Sequence, residues 1–121
     1  MCSLTITAPA DGFLNEDKKV KKQIEKNMIG YAKNSTVQRK GALDDIHPTA
    51  RWDGELKEVK KKRVGRHRVY FIGFHTRCTY KIVHVKVWKK TDVDEEDDPN
   101  FKRYISKVMN AGVSRTIAPP D

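Results

Sequence analysis

A chain of 121 residues with a formal net charge of +9 and an isoelectric point near 9.6 has the size of one domain and draws polyanions. Its 37% apolar and 34% charged residues allow a modest core under a very polar surface, and no apolar run nears the roughly 20 residues a bilayer crossing needs. Cys2 and Cys78, the only cysteines, have no zinc spacing, so Cys78 reads as a small packed residue. With no signal-peptide pattern, that implies a reducing, cytoplasmic setting with no metal or other cofactor.

Ser3 to Ala8 alternates β-branched residues and predicts a first strand, broken by Pro9 to Gly12. Asn15 is placed to cap a helix whose apolar stripe is Val20, Ile24, Met28 and Tyr31. Lys18, Lys19, Lys21, Lys22 and Lys26 fill the rest of its surface and read as a solvated face. Residues 35–48 are polar and turn-rich, with room for a turn or two of helix. His47 before Pro48 reads as a loop residue at a boundary.

Glu55 to Ile72 is the most basic stretch. From Lys57 to Arg68, seven of twelve residues are Lys or Arg. It predicts a strand to Lys60, a turn over Lys62 to Gly65, and a strand from Arg66 to Phe74. Cys78 to Trp88 is the longest predicted strand, with Val83, Val85 and Val87 as its core face. Asp92 to Asp98 is an acidic run ending in a helix cap at Asp98, with Pro99 in the first turn. Phe101, Ile105, Val108 and Met109 form the stripe of a closing helix that Gly112 ends. The predicted fold is α+β: a mainly antiparallel sheet with helices packed on one face. Residues 1–121 make one domain with a core over about 3–110 and a flexible tail at 113–121.

Alternation collects Lys60, Arg66, Arg68, Tyr70, His84, Lys86 and Trp88 on one side of their strands. Fixed cations there suit phosphate, with Lys57, Lys61, Lys62, Arg63 and Lys89 as further RNA contacts. Tyr70 or Trp88 would stack on a base. RNA is cut without metal when its 2′-hydroxyl attacks the adjacent phosphorus, which needs an in-line substrate, a base, an acid and charge stabilisation. Clustered cations would depress the pKa of Lys60 or Lys86 enough to make either a base, and His84 is the other candidate. Glu58 is the carboxylate that would give Arg68 a purely structural role, and His67 and His75 read as structural or exposed.

These pieces in this order resemble the RelE/ParE/HigB superfamily of small toxins from toxin–antitoxin pairs, over about residues 4 to 110. TITAPADGFLNEDKKVKKQIEKNMIGYAKN is similar to its opening strand and helix, and Arg68-Val69-Tyr70 to its Tyr-Arg-Val-Tyr type of segment. VHVKVWKKTD resembles the strand end of the HigB-like, phage-related branch. The resemblance implies a microbial RNase-like fold and a ribosome-dependent endoribonuclease that cleaves mRNA and inhibits translation, silenced by an antitoxin. It places catalytic cations at Lys60, Arg68 and Lys90. Where members of the family carry a C-terminal Tyr or His, this chain has the acidic run, and Tyr104 is the nearest Tyr downstream. A non-catalytic RNA- or ribosome-binding domain and a gyrase inhibitor of the ParE kind are the alternatives.

Overall fold

A computed structural model describes residues 2–33, 44–52, 55–74, 78–89 and 98–119, with 44–52 and 55–59 described as backbone. In chain order the elements are β1 (Ser3–Thr7), α1 (Ala8–Leu14), α2 (Lys18–Lys33), β2 (Asp44–Trp52), β3 (Glu55–Val64), β4 (His67–Phe74), β5 (Thr79–Val87), α3 (Pro99–Met109) and β6 (Val113–Ala118). Among the described residues these strands form one sheet in the order β2-β3-β4-β5-β1-β6. Only the β1–β5 pairing is parallel, so the fold is α+β with a mostly antiparallel sheet.

Several boundaries differ from those the sequence suggests. Pro9 does not break the chain but sits in the first turn of α1, where its missing N–H costs nothing. Asn15 closes α1, and Asp17 caps α2 by accepting from the Lys19 and Val20 amides at 2.9 and 3.3 Å. Asp44 to Trp52 is an edge strand, although its first part, residues 44–48, is expected as turn and loop. It absorbs His47-Pro48 at a register shift between Ile46 and Thr49, a place where an edge tolerates proline. Residues 113–118, expected to be a flexible tail, form β6 along β1.

Helices cover both faces of the sheet, not one. On the first face Val69, Phe71, Tyr80, Ile82 and Val85 pack with Ile24 and Met28 of α2 and with Leu4 and Ile6 of β1. On the second, Tyr70, Ile72 and Val83 pack under Phe101, Ile105, Val108 and Met109 of α3. Successive residues from Val69 to Ile72 of β4 therefore enter opposite cores, which is why that part of the strand is apolar. Each fully buried aliphatic or aromatic side chain contributes roughly 1.5–3 kcal/mol. A register shift beside Tyr70 lets Tyr80 and Ile82 share a face with Val85, while Val87 ends 41% exposed. The predicted valine face is thus split between the two cores and solvent.

Polar ties and a disulfide hold the layers. Lys81 Nζ donates to the Met109 carbonyl at the C-terminal end of α3, at 3.1 Å. Arg115 of β6 pairs with Asp11 of α1 at 3.0 Å and with Glu25 of α2. Cys2 and Cys78 are joined as a disulfide, their Cα atoms 4.7 Å apart. Cys78 is therefore not a free packed thiol, and the two cysteines give no support to a reducing setting. No helix among the described residues is long and apolar enough to cross a membrane.

Candidate nucleic-acid interface

The β3–β4 hairpin fixes the site by its turn. Gly65, at φ 58°, and Arg66 make a two-residue loop, so Val64 pairs with His67. Counting back from that pair sets Arg63 opposite Arg68, Lys61 opposite Tyr70 and Lys60 opposite Phe71. On the other side of β4, Arg68 pairs with Lys86 and Tyr70 with His84. Directly opposed residues share a face. The second face, beside α3, thus carries a row of cations, Arg63–Arg68–Lys86, across three strands. Next to it runs the row Lys61–Tyr70–His84.

This parity corrects one expected grouping. Lys60 lies on the first face with Phe71, on the α2 side of the sheet, and not with Arg68. From sequence the strand ends at Lys60 with a turn at 62–65. In fact β3 runs to Val64, and the tight turn reverses which lysine shares the side of the sheet that carries Arg68: it is Lys61, opposite Tyr70. Lys62 also lies on the first face, its Nζ 5.8 Å from the Tyr31 ring. Lys57 is placed by its backbone, opposite Ala50. Lys90 lies outside the described residues, as do His75 and the acidic run up to Asp97.

Arg68 is buried to 9% exposure. Its Nη1 donates to the His67 carbonyl at 3.1 Å, and its guanidinium lies 5.1 Å from the centre of the Trp88 ring. Trp88, 38% exposed, is held there by its own amide donating to the Arg66 carbonyl at 2.9 Å. Among the described residues no carboxylate pairs with Arg68. Glu58 does not fill that place: it stands five residues along β3 from Arg63, about 17 Å at 3.4 Å per residue. Directly opposed like charges repel one another across a sheet. Arg63, Arg66 and Lys89 are exposed around Arg68.

His84 sits among rings: Tyr104 at 5.0 Å, Tyr70 at 5.5 Å and Phe101 at 6.1 Å between centroids. Burial first, and the Lys86 charge second, push its pKa down to about 4, so the imidazole is neutral near pH 7. Lys86 Nζ in turn lies 5.7 Å from the Phe101 ring. Tyr70, predicted to stack on RNA bases, is 2% exposed and belongs to the second core, so it presents no face to a base. Tyr104 is 41% exposed and is the aromatic that does open to solvent beside His84. Sequence alone does not bring Tyr104 to His84. Its position next to the Phe101–Ile105 stripe is visible, but not that α3 covers the cationic face.

Arg68, His84, Lys86 and Trp88 are thus brought together with Lys61 and Arg63, two of the expected RNA contacts, and Tyr104 is added, whereas Lys60, Lys62 and Tyr70 are removed. Among the described residues no three His, Cys, Asp or Glu side chains group as metal ligands. The chain matches no protein family, no curated protein and no solved structure with which it was compared.

Proposed function

We propose that the chain binds RNA across the β3–β4–β5 face and cuts it, as an endoribonuclease that needs no metal. The observation that carries this reading is the row Arg63–Arg68–Lys86, three cations directly opposed on one face. Opposed like charges destabilise a sheet, and a phosphate between them reverses the sign of that interaction. In the proposed reaction Arg68 and Lys86 stabilise the non-bridging oxygens of the transition state. Neutral His84 accepts the 2′-hydroxyl proton, and the Tyr104 phenol donates to the departing 5′-oxygen. Trp88 offers its exposed edge to a flanking base. The resemblance to RelE- and HigB-like toxins supplies the setting of the proposal: mRNA on the ribosome as substrate, inhibition of translation as outcome, and an antitoxin as the neutralising partner.

A second reading, RNA binding without cleavage, draws on one observation. Lys60, a catalytic cation under the resemblance, lies on the other face of the sheet. A cell-free translation reaction with primer extension of the mRNA separates the two. Discrete new 5′ ends are expected. Arg68→Ala is expected to lower their yield about 100-fold or more, the scale of losing one preorganised donor. Inhibition of translation without cuts, equal in Arg68→Ala, establishes the second reading instead.

A further inference from the structure

α2 carries its charges where a helix least tolerates them. Lys18, Lys19, Lys21 and Lys22 all lie in its first turn or just beyond, at the positive end of the helix dipole, where the Asp17 cap offsets only part of their charge. Lys18, Lys22 and Lys26 follow one another at four-residue steps, so like charges are neighbours along the exposed spine. With Lys33, Ile29 and Gly30 they line an open depression. Glu25, the one acid within α2, is already taken by Arg115. Lys21 Nζ is tied to Asn15 at 2.8 Å. The exposed lysines have no such tie among the described contacts, and their arrangement costs helix stability.

The hairpin tip joins this helix to the candidate site. A Cβ on Gly65 would stand 3.1 Å from Gln23 Nε2, so the turn rests on the α2 side chain at 23. The Phe13 ring meets His67 at 6.3 Å on the same side. Gln23 is flanked on the helix surface by Lys19, four residues before, and Lys26, three residues after. Arg63 and Arg66 are exposed on the hairpin itself. Cations therefore lie on both sides of the contact between tip and helix, Arg63 and Arg66 on the hairpin and Lys19 and Lys26 on α2.

We propose that single-stranded RNA leaves the Arg68 face, crosses the Gly65–Arg66 tip and continues along α2, so that α2 binds substrate flanking the cut. This rests on the Arg68 face being the RNA site. Its continuity with that face favours RNA over an acidic protein segment, which would need only the helix.

The test uses 2′-O-methyl oligouridine, which lacks the attacking hydroxyl and is not consumed. A trinucleotide and a long strand are titrated over a salt series against wild type, the Lys19→Glu/Lys26→Glu pair and Arg68→Ala. The pair is expected to weaken the long strand about tenfold or more and to flatten its log–log salt slope by about 0.7 per lost phosphate contact. Trinucleotide binding stays unchanged in the pair and falls in Arg68→Ala. Equal long-strand affinity in wild type and the pair overturns the track. So does a polyglutamate competitor that binds wild type, fails on the pair and leaves RNA binding untouched, since the helix is then an acidic-peptide site. Loss of long-strand binding in the pair, with Arg68→Ala indistinguishable from wild type on both probes, refutes the Arg68 site and the continuous track together, leaving α2 as a separate binder.

Discussion

His84 is the residue whose environment does most to its chemistry. Buried between Tyr70, Phe101 and Tyr104 and facing Lys86, it resists protonation. Its folded pKa of about 4 lies below the 6.5 of an unfolded histidine, so below pH 6.5 the unfolded chain binds the extra proton more readily. The stability conferred by keeping His84 neutral is complete above pH 6.5, declines as pH falls, and is fully lost below about 4. The difference amounts to about 3 kcal/mol, order of magnitude. Urea unfolding between pH 7 and 4 is expected to show this decline, and His84→Phe is expected to remove that share of it. An unchanged slope in the variant places the acid sensitivity elsewhere. The same shift sets the acid limb of cleavage well below pH 6.5, and a bound phosphate raises it by its charge. Lys60 and Lys61 teach a second lesson at this scale. They are chemically identical neighbours on opposite faces, and only the parity set by Gly65–Arg66 says which of them shares a face with Arg68.

At the scale of elements, the sequence declares the strands and helices with strong periodicity and hides those without it. The stripe Val20–Ile24–Met28–Tyr31 is legible, and Ile24 and Met28 are fully buried as it predicts. The Asp98 cap is equally legible: its carboxylate accepts from the Asn100 amide at 2.8 Å. β2 is not legible, because His47-Pro48 interrupts its alternation and an edge strand forgives the interruption. β6 is hidden because its exposed residues are paired to β1 through backbone. The two-sided burial of β4 is hidden too, since an apolar run does not reveal what lies on each face. The lysines of α2 are visible in the sequence, whereas their cost needs the helix ends. Replacing Lys19 by Glu puts a favourable charge in the first turn and is expected to stabilise the protein by about 0.3–1 kcal/mol. Thermal denaturation at low salt measures it. A fall in midpoint instead means that Lys19 makes a stabilising contact within the fold.

At the scale of the whole molecule, the disulfide closes a loop with a sequence separation of 76, which encloses β1, α1, α2 and β2 to β4. In the chain-entropy picture a loop of that length stabilises the folded state by about 4 kcal/mol. Reduction, or Cys2→Ser, is expected to lower the unfolding free energy in guanidinium by an amount of that order. Identical midpoints with and without reductant show that the bond contributes nothing to stability. Neither the bond nor its effect is readable from two cysteines 76 residues apart. Their approach follows from the parallel pairing of β1 with β5, in which Ser3 stands beside Thr79.

β1 has a consequence for synthesis. It is the first strand to leave a ribosome, yet both of its neighbours come late: β5 from residue 79 and β6 from residue 113. Through most of elongation Leu4 and Ile6, fully buried at the end, have no strand beside them. The sheet closes around β1 only when the last few residues of β6 emerge. A nascent chain that stalls before residue 113 leaves one edge of β1 open, an invitation to pair with another chain. β6 is thus the strand that closes the sheet, pairing the edge of β1 that β5 leaves free.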